Sequence, residues 1–214
     1  MVAHSSIAAS SQPDPLNNPS DRTVFTLAGI KNDADYKQLF AQGENISCIP
    51  QGVAAGKASG VFKRGGFLDF LTRINWYGKH FIRSSRSCGE GVGINRIQNS
   101  EYVTFTTAVR DGKYVDLNYS QTQGRFYESS LLGDFYAKRI RKMGIKDTMV
   151  KVKGKYGDIF IGKAFSGKYL ENGDFLESGF VAWFFLDFNP KALLEQDCEW
   201  NNLGFDEKTG RCLK

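Results

Sequence analysis

Histidine is scarce in this chain: His4 and His80 are the two present. His80 lies in a polar–aromatic knot, Trp76-Tyr77-Gly78-Lys79-His80-Phe81. An imidazole beside Trp and Tyr serves as a general base when a carboxylate such as Asp69 or Glu90 orients it. The same residue also reads as a structural histidine at the start of a strand. Lys79 suits an anionic head group or, if desolvated, base chemistry; the alternative is an exposed amine on a packed stem. Trp76, Tyr77 and Phe81 supply rings for a cavity wall or for a core. The candidate catalytic residues are therefore His80, Tyr77 and Asp69, and the candidate ligand-binding residues are Trp76, Tyr77, Lys79, His80 and Phe81.

Other chemistries find no support in the sequence. There is no G-x-S-x-G nucleophile, since Ser59 lies in Lys57-Ala58-Ser59-Gly60 and Ser166 in Phe165-Ser166-Gly167-Lys168. Carboxylates paired for hydrolysis are missing. Four cysteines without C-x-x-C spacing and two histidines make no zinc site, so neither a metal nor a cofactor is expected. Cys88–Gly93 (CGEGVG) is glycine-rich but lacks the G-K-[ST] of a phosphate loop, and it reads as a plain loop.

The elements that must hold these residues are legible from periodicity. Phe67, Phe70, Leu71 and Ile74 fall at i, i+3, i+4 and i+7, which predicts a short helix with one apolar face. Asn75 and Gly78 then allow a reversal into a strand. This helix is expected to plug one end of a hydrophobic body, with Trp76 and Tyr77 on the cavity wall and Lys79 or His80 at its rim. Asn32-Asp33 predicts an N-cap for a brief helix carrying Tyr36, Leu39 and Phe40, closed by Gly43. The glycines of 46–66 suggest turns and an early strand ending at Phe62.

Asp111-Gly112 between two β-rich runs predicts a type I′ hairpin. With a two-residue loop, Ala108 faces Val115, Thr106 faces Leu117, and Thr104 faces Tyr119. Ser130–Met143 has helical spacing and a Gly144 stop. Met149–Phe165 reads as two strands about a Gly154–Gly157 turn, with Val150 and Val152 alternating against Lys151 and Lys153. Phe180–Phe188 is the most apolar strand, and Asn189-Pro190 starts a last helix.

At 214 residues, with 41% hydrophobic and 14% aromatic content, the chain can bury a sizeable core. The expected organisation is a disordered segment 1–21, one domain over 22–197, and a tail 198–214. No apolar run approaches the length of a membrane-spanning helix. No secretory signal is visible at the N-terminus, so the default expectation is cytoplasmic, with export left open by the cysteine-bearing tail. The tail CEWNNLGFDEKTGRC reads as a closed loop, which would pair Cys198 with Cys212 and leave Cys48 with Cys88 as the companion; free buried thiols are the alternative. The net charge of +5 is uneven: residues 138–155 hold eight Lys/Arg against Asp147 alone. That block reads as a solvated face, or as a surface for an anion or nucleic acid.

The segment Phe67–Phe81 resembles the GXWXXXF-motif proteins, a calycin-like group, through Trp76, Gly78, Lys79 and Phe81. The group's opening motif aligns with Gly56-x-Ala58-x-x-x-Phe62, with Ala58 where the group has its tryptophan. The resemblance spans residues 36–165 and implies a lipocalin-like barrel; it transfers no catalytic residue. Strand rhythm and short turns independently predict a mainly β fold, an antiparallel barrel or half-barrel with two or three short helices. Three functions fit, in this order: binding of a small hydrophobic or amphipathic ligand in the barrel, a cofactor-independent isomerase or cyclase acting on such a molecule, and an anion- or nucleic-acid-binding surface at 138–155. Oligomeric state is not encoded in any feature of the sequence.

Overall fold

The computed structural model describes residues 13–62, 76–97, 100–119, 144–172 and 174–213. The expected plug helix with Asp69, Phe67, Phe70, Leu71 and Ile74, the expected helix Ser130–Met143, and the basic residues Lys138–Lys142 lie outside these.

Eight antiparallel strands close into a barrel in sequence order. They are β1 (Gly52–Phe62), β2 (Trp76–Arg83), β3 (Glu90–Ile97), β4 (Ser100–Arg110), β5 (Tyr114–Asn118), β6 (Ile145–Gly154), β7 (Gly157–Tyr169) and β8 (Phe175–Asp187). Closure is made by β8 on β1, with Ala55 opposite Asp187 and Ala58 opposite Phe184. Among the described residues, three short α-helices decorate the outside: α1 (Val24–Ala28), α2 (Asp33–Ala41) and α3 (Pro190–Trp200). A small hairpin, β9 (Gly204–Asp206) and β10 (Arg211–Leu213), follows α3. None of the helices is long and apolar enough to cross a membrane among the described residues.

Local chemistry explains the helix starts. Thr23 and Thr26 form a reciprocal capping box on α1. Asn32 caps α2 by accepting from Ala34 N at 3.0 Å, as its position before the apolar spacing predicted. Asn189 caps α3 and Pro190 occupies its first turn, where a missing N–H costs nothing.

Two apolar layers result from strand alternation. The barrel interior gathers Phe81, Phe105, Val115, Leu117, Met149, Phe160 and Leu186. The second layer lies outside the wall, where Val150, Val152, Ile159, Trp183 and Phe185 meet Val24, Leu27, Tyr36 and Leu39 of α1 and α2. Lys151 and Lys153 alternate with those valines and pair with Glu44 and Asp158.

The hairpin register departs from expectation. Asp111 and Gly112 do take positive φ, 55° and 61°, and Lys113 N bonds to Arg110 O. The strands, however, pair Arg110 with Tyr114, Val109 with Val115 and Thr107 with Leu117. Lys113 is an extra residue, and the one-residue slip exchanges the faces of β4 relative to β5. The interior partners of Val115 and Leu117 are thus Val109 and Thr107, where Ala108 and Thr106 were expected.

The CGEGVG segment is likewise no plain loop, because Glu90–Gly93 begins β3. Its glycines are needed for packing. A Cβ on Gly93 would lie 2.4 Å from the Phe105 ring, and one on Gly91 2.3 Å from the Ile82 carbonyl. Rings that lean over the strand take the space that side chains would have used.

Both cysteine pairs form disulfides, Cys48–Cys88 and Cys198–Cys212. The first ties the 45–51 segment to the β2–β3 turn. The second ties α3 to β10, while Gln196 Nε2 donates to Gly56 O at 2.7 Å and docks α3 on β1. Two disulfides are compatible with an oxidising compartment.

Candidate functional site

One half of the barrel interior is filled by rings. Phe81 packs edge-on against Phe105 and Phe188, with centroids 5.4 and 5.6 Å apart, and Phe160 meets Phe188 at 5.5 Å. The other half holds a cavity of about 80 Å³. A single water needs roughly 15 Å³ by this kind of measure, so there is space for a small molecule. The space exists because three inward positions carry alanine: Ala58 on β1, Ala164 on β7 and Ala182 on β8. A tryptophan ring at Ala58 would fill the cavity.

Four polar side chains meet on the cavity wall. The Lys79 amine, 2% exposed, lies 2.7 Å from Asn95 Oδ1, 2.7 Å from Tyr119 Oη and 3.1 Å from Asp147 Oδ2. Tyr119 donates its hydroxyl proton to Asp147 Oδ2 at 2.7 Å. Trp76 Nε1 donates to Asn95 Oδ1 at 3.2 Å, and Asn95 Nδ2 donates to Val103 O at 3.0 Å. All three ammonium protons thus have acceptors, the condition for burying a charge at all. Around the ammonium, the rings of Trp76, Phe105 and Phe184 lie with centroids 5.5, 4.9 and 5.1 Å away. Their quadrupoles favour a cation at that point.

Two β-bulges assemble this cluster. In β2 the register shifts between Trp76 and Gly78, so Trp76 and Lys79 both point inward although three residues apart. Gly78 takes φ 123°, and a Cβ there would lie 2.3 Å from Ala54 O, so only glycine fits. In β4 the shift falls where Ile94 pairs with Thr104 and Asn95 with Tyr102, leaving Val103 as the extra residue. Val103 sits at φ 62°, a strained conformation for a β-branched residue. Its carbonyl is the group that holds Asn95. The remaining members follow from plain alternation: Val115, Leu117 and Tyr119 face inward, as do Ile145, Asp147 and Met149.

Burial sets the electrostatics. Desolvation pushes the Lys79 amine below its usual value, and Asp147 pulls it back only in part. Desolvation, with Asp147 adding to it, pushes the Tyr119 phenol well above its ordinary range. The cluster is therefore a buried set of proton donors and acceptors on the cavity wall.

The sequence-derived candidates are divided by the barrel wall. Trp76 and Lys79 line the cavity, and Phe81 packs in the interior core below it. Tyr77 points outward and meets Trp200 of α3 edge-on at 4.6 Å, its phenol pushed up to about 12 by burial. His80 also points outward, with Nδ1 3.1 Å from Glu101 Oε1. Neither joins Lys79, and Asp69 is outside the described residues. Asn95, Tyr119 and Asp147 are the cavity residues that sequence reasoning missed.

The described lysines of the basic block are all beside carboxylates. Lys146 pairs with Asp116 at 3.1 Å, Lys153 with Asp158 at 2.8 Å, Lys151 lies 3.6 Å from Asp158, and Lys155 reaches Glu207 of the tail. Among the described residues, no cluster of His, Cys, Asp and Glu could hold a metal ion.

Comparison of the chain with protein-family models, curated proteins and solved structures finds no match.

Proposed function

We propose that the barrel binds a small, neutral, mostly apolar molecule in the cavity, its one polar end turned to the Lys79–Asn95–Tyr119–Asp147 cluster. The observation that carries this reading is the composition of the cluster. One ammonium is matched by one carboxylate inside an apolar chamber, so an anionic ligand would meet Asp147 and a cationic one Lys79, each without a spare counter-charge. A neutral carbonyl or hydroxyl brings no such penalty, and the alanine and aromatic walls match an apolar body.

The test is binding of benzyl alcohol against benzoate, followed by ligand-observed NMR. Benzyl alcohol should bind and benzoate should not. The variant Ala58→Trp should abolish binding by occupying the cavity, at about 1–3 kcal/mol of overpacking cost. Equal binding of both probes to parent and variant would overturn the reading.

A second reading, isomerisation or cyclisation without a cofactor, is favoured by the Tyr119–Asp147–Lys79 contacts. They place a donor and an acceptor within 2.7 to 3.1 Å of each other inside the cavity. Proton exchange at the carbon next to a bound ketone, read as deuterium uptake, is the measurement that separates it from binding alone.

A further inference from the structure

We infer that Lys79 captures a small apolar aldehyde or ketone as an imine, because its buried amine lines the cavity within hydrogen-bond reach of both Asp147 and Tyr119. The inference rests on the cavity being a ligand site, and it specifies the ligand class.

Charge is the first argument. The reaction turns a lysine ammonium and a neutral carbonyl compound into a protonated imine and water. One positive charge is present before and after, at the same atom. The three rings of Trp76, Phe105 and Phe184 and the carboxylate of Asp147, which hold the ammonium, hold the iminium equally. No new charge has to be buried.

Hydrogen bonding is the second argument. An ammonium has three N–H groups and a protonated imine has one. Lys79 would retain Asp147 and release Asn95 and Tyr119. Neither is orphaned by that loss: Asn95 Oδ1 still accepts from Trp76 Nε1, and the Tyr119 hydroxyl still donates to Asp147. The cluster is built so that two of the three lysine bonds can go without leaving a buried polar atom unpaired.

The steps balance within the cluster. Lys79 passes one proton to Asp147, and its lone pair attacks the carbonyl carbon while the C=O π pair moves to oxygen. The attacking nitrogen sheds a second proton and that oxygen takes one up, giving a neutral carbinolamine with the other proton held on Asp147. The C–O bond then breaks, the hydroxyl leaves as water with a second proton, and the nitrogen lone pair forms the C=N bond. Tyr119 and Asp147 are the groups within reach to relay these protons. Desolvation, which holds the amine below its usual value, eases release of the first proton to Asp147.

The experiment exposes the full chain to benzaldehyde at neutral pH with cyanoborohydride, which reduces a protonated imine to a stable amine, and maps the adduct by peptide mass spectrometry. The expected result is an adduct on Lys79 in excess of every other lysine, suppressed by benzyl alcohol and by Ala58→Trp. The adduct should also be lost in Lys79→Met/Asp147→Leu, with folding checked by circular dichroism. Label confined to exposed lysines such as Lys31 and Lys168 would overturn the inference. If benzyl alcohol binds while Lys79 stays unmodified, imine capture fails and the cavity reading stands. If neither probe engages the cavity, both fail.

Discussion

The Val103 carbonyl accepts the Asn95 side-chain amide at 3.0 Å from a backbone held at φ 62°. A single strained residue thereby fixes which end of the Asn95 amide faces Lys79, because the nitrogen is committed to Val103 and the oxygen is left for the ammonium.

That conformation gives an inverted ranking of two substitutions. In an ordinary strand glycine is worse than alanine by roughly 0.5–1 kcal/mol. At position 103 the left-handed backbone costs alanine about 1–2 kcal/mol that glycine escapes. Val103→Gly should therefore be more stable than Val103→Ala in urea unfolding. The usual order, alanine above glycine, would show that the bulge is unstrained.

The Lys79–Asp147 pair predicts strong non-additivity. Asp147→Leu alone leaves a buried ammonium without its counter-charge, a loss of about 3–5 kcal/mol. Lys79→Met alone strands the carboxylate at similar cost. The double variant buries no charge and should recover most of the parent stability, read from a double-mutant cycle in urea. Additive losses would mean that the two groups do not interact as their 3.1 Å separation implies.

Asp187 predicts a pH dependence. Its Oδ1 accepts from Asn189 N at 2.8 Å, while its buried Oδ2 has no partner among the described residues. Burial raises its carboxyl to about 6 from an ordinary 3.8. Between these values the folded state binds more protons than the unfolded state, so stability falls as pH rises from about 4 to about 6. Glu195, also raised by burial, acts in the same sense. Asp33, Asp116 and Asp158 are held below their usual range and act only at lower pH. Thermal melts across this window should show the slope, and Asp187→Asn should flatten it. A parent protein that gains stability over the same interval would contradict the assignment.

The mainly β, antiparallel fold and the caps at Asn32 and Asn189 were legible because each rests on local spacing or composition, whereas Cys48–Cys88, 40 residues apart, followed only as the companion of the loop-closing Cys198–Cys212. The site was legible only in part. Asp147 stood out in sequence as the single acid among eight basic residues of 138–155. Its place between Ile145 and Met149 at period two is the signal that turns it inward, but the rhythm of the sequence starts that strand only at Met149. Tyr119 was hidden by the extra residue Lys113, which moved the register by one. Asn95 had no signal, since its role depends on a bulge in the neighbouring strand. Tyr77 and His80 were drawn in by adjacency to Lys79, although a strand sends neighbours to opposite faces and a bulge breaks even that rule.

Barrel closure has a kinetic consequence. The seam joins β1 to β8, and its pairs, such as Ala55 with Asp187, are separated by most of the chain. During synthesis β1 therefore presents an unpaired edge until the last strand has emerged, and so does every intermediate strand in turn. Pairings of such long range are slow to form, and exposed edges are templates for self-association. The partly made chain, rather than the finished barrel, is the aggregation-sensitive species, and truncation ahead of Asp187 makes that state permanent.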